Sequence, residues 1–171
     1  RIMPASAGRT TMCPTELGYD AALPPSLCLL PIETRLQSQG LAEWRLKRDR
    51  WIDIPLDIHN PEQVAKSIER VAQVRHVSVD EARNLGFWHD EVADQNPVVD
   101  SQGRVEVPMW RHAIINMPHP LLKQGLVILD TPGLNAVGAE PELTVSLIPQ
   151  AHAVVFILGA DTGVTRSDLA I

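Results

Sequence analysis

Cysteine is scarce. Only Cys13 and Cys28 occur, with no Cys-x-x-Cys and no zinc-type spacing to the histidines. A disulfide framework and a zinc finger are therefore excluded as the basis of the fold. Free thiols in a reducing, cytoplasmic compartment are the simplest expectation. Long apolar runs are also missing: none approaches the roughly 20 residues needed to span a bilayer. The first residues, Arg1-Ile2-Met3-Pro4, carry no signal-peptide pattern. There is no excess of basic charge, since the formal net charge is −6, so nothing global favours nucleic acid or an anionic surface as a partner. The densest basic run, Arg45, Lys47, Arg48 and Arg50, is accompanied by Glu43 and Asp49 and reads as a solvated surface segment. No Gly-x-Ser-x-Gly elbow frames Ser6 or Ser26, so a serine-hydrolase triad has no support. His59, His76, His89, His112, His119 and His152 show no metal spacing. His89-Asp90-Glu91 are adjacent, and adjacent residues on a helix do not share a face.

What is present suits a globular domain. The 171 residues are 44% hydrophobic and 21% charged, enough for one domain with a real core. Three stretches follow one another. Residues 1–57 are rich in Pro and Thr and contain short apolar runs such as Leu27-Cys28-Leu29-Leu30, which read as strands. Residues 58–108 read as helical and polar. Asn60-Pro61-Glu62-Gln63 is a helix start with an Asn cap and Pro at the first helical position. Val64, Ile68, Val71 and Val74 then recur at helical spacing. Ser78-Val79-Asp80-Glu81 opens a second helix through Leu85, which Gly86 can end. Two helices outside the sheet are expected here, followed by a loop over Asp94–Arg104. Trp44, Trp51, Trp88 and Trp110, with Phe87 beside one of them, read as packing residues rather than a membrane wedge.

Residues 109–171 carry the chemistry. Arg111–Met117 reads as a strand, Leu126–Leu129 as a short buried strand and Ala153–Leu158 as another. Helices are expected over Pro141–Ile148 and from about Thr165. Apolar strands alternating with helices predict an α/β fold with a mostly parallel sheet covered on both faces. Leu126-Val127-Ile128-Leu129 runs straight into Asp130-Thr131-Pro132-Gly133. Ligands of such sheets sit outside the carboxyl ends of the strands. An Asp there can face a magnesium ion directly or through water, and a Gly three residues on lets a backbone N–H approach a terminal phosphate. An ordinary Asp-Pro-Gly-type turn after a strand is the plainer alternative.

Asp130-Thr131-Pro132-Gly133 resembles the third G motif of translation-factor-class GTPases. Met3-Pro4-Ala5-Ser6-Ala7-Gly8-Arg9-Thr10-Thr11-Met12-Cys13-Pro14 resembles the switch I segment of dynamins, especially mitofusins and bacterial dynamin-like proteins. The family's switch threonine corresponds best to Thr11, with Thr10 a near alternative and Thr15 a weaker one. Gly159-Ala160-Asp161-Thr162-Gly163 resembles the family's polar loop after the next strand. The resemblance covers about Arg1–Asp20 and Pro108–Ile171. It implies a three-layer P-loop GTPase core, the G domain, with a helical insertion between switch I and the Asp-Thr-Pro-Gly motif. Thr11 and Asp130 lie 119 positions apart, where a minimal GTPase has only a strand and a turn.

By this resemblance, Thr11, Asp130 and Gly133 are the catalytic candidates. Thr10, Thr11, Asp130, Thr131, Pro132 and Gly133 are the nucleotide-binding ones, and Thr11 and Asp130 hold Mg2+, Asp130 through a water. GTP is the implied substrate, with a monovalent cation assisting, because Leu134 stands where a Ras-type enzyme has its water-orienting Gln. The implied partners are GTP and GDP, a second copy through the G domains, and membrane lipids reached through regions outside this chain, with peripheral placement at the inner face of a membrane. No nucleic acid is expected. Two rivals stand beside this reading: an Era-like ribosome- or RNA-associated GTPase with an insertion, and a catalytically inactive GTPase-like scaffold. The chain has no Gly-x-x-x-x-Gly-Lys-Ser/Thr and no Asn/Thr-Lys-x-Asp. It starts on Arg1 and stops inside what reads as the first turn of a helix, so a piece of a longer G domain is expected. Residues 1–171 alone should therefore bind GTP poorly; micromolar, magnesium-dependent binding in a calorimeter would refute this.

Overall fold

The computed structural model describes residues 13–91, 96–131 and 151–155. The chain divides into two compact units, Arg1–Glu140 and Pro141–Ile171. In the second, residues 151–155 carry no regular structure, and Val154 and Val155 are exposed. The buried strand expected from Ala153 thus does not begin within them. The rest of that strand, and the helices expected over Pro141–Ile148 and from Thr165, lie outside the described residues.

The first unit is built on a five-stranded sheet. Its strands are β1 (Thr15–Gly18), β2 (Ser26–Pro31), β3 (Ile52–Pro55), β6 (Trp110–Asn116) and β7 (Ile128–Asp130), in the order β3-β2-β6-β1-β7. β1 runs parallel to β6, whereas β7 on β1, β2 on β6 and β3 on β2 are antiparallel. The described sheet is therefore mixed and not mostly parallel. Of its four pairings only β1 with β6 is parallel.

On one sheet face Leu17, Leu27, Leu29, Ala113 and Ile115 are buried with Ile68, Val71 and Leu122. Ile68 ends helix α2 (Pro61–Ile68), whose start is capped as read, Asn60 Oδ1 accepting from the Gln63 N–H at 3.1 Å. Leu122 belongs to a short helical turn, α4 (Pro120–Lys123). β6 carries a bulge: Leu30 opposes His112 but Pro31 opposes Trp110, leaving Arg111 as the extra residue. The bulge turns Trp110 onto the same face as Ala113, where its Nε1 donates to the Arg70 carbonyl at 2.7 Å. Buried Arg111 donates from Nη1 to the carbonyls of Thr34 and Gln39.

The opposite face holds Glu16 and His112 against helix α1 (Leu41–Leu46) and Trp51. Here the basic segment is partly spoken for. Arg45 pairs with Glu16, Lys47 lies over the Trp44 ring at 5.9 Å and Arg48 over the Trp51 ring at 5.6 Å.

The middle stretch is not all helix. β4 (Val74–Ser78) and β5 (Arg104–Pro108) form a separate antiparallel ribbon, with α3 (Val79–Asn84) packed on it. Val74, expected on a helix, starts β4: the chain turns extended at Gln73 after a short 3₁₀ turn, and Val74 then pairs with Pro108. α3 is capped by Ser78, whose Oγ accepts from the Glu81 N–H at 3.1 Å, and Gly86 at φ +80° ends it. Val77, Ala82, Leu85, Phe87, Val105 and Val107 form a second small core with Ile32.

The strand leading to Asp130 also departs from expectation. It forms over Ile128–Asp130 and lies at the sheet edge, with Leu126, Val127 and Ile128 at 44%, 56% and 47% exposure rather than buried. Among the described residues it has a neighbour, β1, on one side only.

Asn116, 7% exposed, closes the end of β6. Its Oδ1 accepts from the Asp20 N–H at 2.7 Å, and its Nδ2 donates among the carbonyls of Asp20, Leu23 and Pro24 at 3.0–3.2 Å. Asn116→Ala should strand these buried groups and lower unfolding free energy by about 3 kcal/mol. Asn116→Asp should cost more, because three carbonyls would then face a carboxylate; urea titration of the variants checks both. The second expectation concerns Glu16, whose side chain is 15% exposed. Burial pushes its carboxyl up, but His112 and the Arg45 guanidinium together outweigh this and hold it below its ordinary 4.5. A carboxyl depressed in the folded state releases its proton sooner there than in the unfolded chain. Its contribution is thus present above about pH 4.5 and is lost as pH falls through the lower folded value. Glu16→Gln should flatten the acid limb of stability against pH; an unchanged acid limb would contradict the pairing.

Candidate functional site

β1, which follows directly on the first segment singled out in the sequence, meets Asp130 of the second at one end of the sheet. β1 begins where β7 stops, and Thr15 stands directly across from Asp130 in the antiparallel ladder. Directly opposed residues in such a ladder project to the same face. The ladder continues as Glu16 with Leu129 and Leu17 with Ile128. On the other side of β1, Thr15 aligns with Ala113 of β6, and the Ala113 N–H donates to the Pro14 carbonyl at 2.9 Å. The chain is thus stitched to the sheet one residue before β1 starts.

Cys13 makes a second anchor. It is 1% exposed within the main core, and burial raises its thiol far above the ordinary range. It is a neutral plug and not a reactive thiol. Thr11 lies two positions before it, within about 7 Å of chain. Thr10, Thr11, Pro132 and Gly133 themselves lie outside the described residues.

Thr15 is 1% exposed and its hydroxyl donates to the Cys13 carbonyl at 3.1 Å. Thr15 is thus held within β1 by a local hydrogen bond. Asp130 is exposed at the last position of β7, and half-buried Thr131 follows as the chain leaves the strand.

No group of three or more His, Cys, Asp or Glu suited to a metal is found among the described residues. Magnesium at phosphate-transfer sites asks less of the protein than such a cluster. It takes one or two carboxylates and completes its octahedron with phosphate oxygens and waters, rather than using an all-protein cage. A single exposed carboxylate at the carboxyl end of a sheet strand fits that donor set.

Other singled-out residues have structural places. His119 Nδ1 accepts from the Leu121 N–H at the start of α4, and Trp88 Nε1 donates to Asp90 at 2.9 Å. Trp51 Nε1 donates to the Trp44 carbonyl at 2.8 Å. Among the described residues, no helix is long and apolar enough to cross a membrane. Sequence reasoning missed Glu16 and its partners. The available signal was Thr15-Glu16-Leu17-Gly18, an alternation that places one carboxylate on the face opposite the core residue Leu17.

Comparison with known proteins agrees with the motifs. A bacterial dynamin-like protein of Nostoc punctiforme is 35% identical over 70 residues, which is 41% of this chain and 10% of that relative's length. The chain therefore corresponds to a small part of that relative. The sequence model of the Dynamin family matches residues 1–170, nearly the whole chain. The chain belongs to the dynamin family.

Proposed function

We propose that the protein containing this chain binds and hydrolyses GTP, and that its terminal phosphate is sensed at the sheet end where β1 begins and β7 stops. The observation that supports this most directly is the pairing of Thr15 with Asp130. It makes the chain from Thr11 and the chain toward Gly133 leave the sheet side by side. Thr11 is four positions from Thr15 and Gly133 three from Asp130, so each lies within about 10–14 Å of that pair along the chain. Both loops can then reach one phosphate.

In this reading Asp130 holds a water of the magnesium shell, and the Gly133 N–H contacts the terminal phosphate. The Thr11 hydroxyl closes on the ion when that phosphate is present, with Thr10 beside it and Thr131 and Pro132 shaping the turn. When bound, magnesium neutralises charge between the phosphates. With Leu134 in place of a glutamine, positioning of the attacking water falls to switch I and the phosphate loop, aided by a monovalent cation. Residues 58–108 are an insertion relative to a minimal GTPase. Ordering of the two loops by the terminal phosphate would be the output. G-domain dimerisation and membrane remodelling, through lipid-binding regions outside this chain, belong to the same proposal through family resemblance.

A three-variant set in the full-length protein tests it. Thr11→Ala should leave GDP affinity within about twofold and lower GTP turnover about 100-fold or more, because positioning and electrostatics supply nearly all the catalysis of phosphoryl transfer. Asp130→Ala should weaken magnesium-dependent binding as well as turnover. Thr10→Ala should be milder than Thr11→Ala. The reverse order of the two threonines would shift the switch register by one, and indifference to both would remove the N-terminal segment from the site.

A further inference from the structure

The Glu16 cluster lies next to the proposed site and the mechanism above does not use it. Glu16 follows Thr15, the residue opposite Asp130, and stands five positions after Thr11. Arg45 of α1 grips it with one nitrogen: Nη2 is 2.8 Å from Oε1 and 2.8 Å from Oε2. Both side chains are largely shielded, at 15% and 33% exposure. Losing one partner there strands the other in poor solvent, which an exposed pair does not do.

His112 of β6 is the second observation. It is 1% exposed, and among the described residues neither ring nitrogen has a hydrogen-bond partner. Its Nε2 is 3.9 Å from Glu16 Oε2, and its ring meets Trp51 edge-on with centroids 6.1 Å apart. A buried imidazole left without a bond normally costs stability and marks a place where something other than packing is served. The gap to Glu16 is about 1 Å beyond hydrogen-bonding distance. A small slide of β1 along β6 would close it.

We propose that Glu16 is a positioning residue for switch I. The inference rests on the site reading above. β1 is four residues long, and a slip by one position would move the switch about 3.3 Å and exchange its faces. Leu17 and Thr15 hold β1 from the core side. On the other side Glu16, clamped by Arg45, sets where the strand starts relative to Asp130. His112 stands beside the same carboxylate, 3.9 Å away.

The test uses the full-length protein, with turnover, KM for GTP, GDP affinity and thermal midpoint measured on each variant. Glu16→Gln, close to isosteric, should lower kcat about tenfold with KM and GDP affinity within about twofold, the signature of an interaction expressed in the transition state. Arg45→Met should match it, Arg45→Lys should recover part of the loss, and Glu16→Gln with Arg45→Met should be no worse than either alone. Wild-type kcat in Glu16→Gln overturns the inference. So does a parallel fall of kcat, GDP affinity and thermal midpoint, which would mean a merely structural role. Thr11→Ala run beside them separates the two levels. If Thr11→Ala abolishes turnover and Glu16→Gln does not change it, this inference alone fails. If Thr11→Ala is silent, the switch reading fails and takes this inference with it.

Discussion

The ladder made by Thr15–Gly18 is the constraint on which the rest of the molecule turns. All four of its residues pair with Ala113–Asn116 on one side, and Thr15–Leu17 pair with Ile128–Asp130 on the other. Without the first pairing, the Pro-rich start of the chain would have no fixed relation to the main core. Without the second, Asp130 would sit on a loose, half-exposed strand. A strand of this length forms few ladder bonds, so side chains must share the task of fixing register. Cys13, Leu17 and Thr15 do so from the core side, Glu16 from the other.

Short-range chemistry was legible and long-range geometry was not. The caps at Asn60 and Ser78 depend on a hydroxyl or amide oxygen and an N–H three residues away, and both formed where the sequence placed them. Gly86 ended its helix because positive φ is a property of one residue. The strands Leu27–Leu30 and Arg111–Met117 were recognisable from apolar content, to within a residue or so at each end. The failures were of partnership. Apolar Leu126–Leu129 looks the same whether its strand is central or at an edge, and here it is at the edge. Val74 continued a helical spacing by coincidence, and the pairing with β5 decided its state. Parallel or antiparallel direction depends on which strands become neighbours, which local pattern does not encode.

The site divides along the same line. Asp130 and its neighbours could be read because the motif is contiguous. A shared site with the N-terminal threonines is implied by family resemblance alone, since 119 positions separate Thr11 from Asp130. The ladder between β1 and β7 pairs Thr15, which is buried, with Asp130. The alternation over Thr15–Gly18 places Glu16 on a face but names no partner for it. A lone carboxylate in a strand acquires meaning only once Arg45 and His112 arrive from 29 and 96 positions away.

The contrast between the two halves of the sheet bears on how a signal could leave the site. β2 is held to β6 over Ser26–Pro31 and to β3 on its other side, with Leu27, Leu29 and Leu30 fully buried. β1 and β7 have shorter ladders, and β7 exposes apolar side chains. Local opening free energies follow buried contacts and ladder length, so β1 and β7 are the softer pair and β2–β6 the fixed frame. A ligand that orders the loops at Thr11 and Gly133 would act on the soft pair first. Any resulting displacement of β1 is resisted by the frame on its β6 side and is felt by α1 through Arg45. α1 leads through Lys47–Arg50 into β3, the far edge of the same sheet. A side-chain connection from β1 to β3 thus lies over the face, through the part-buried Glu16–Arg45 pair and α1.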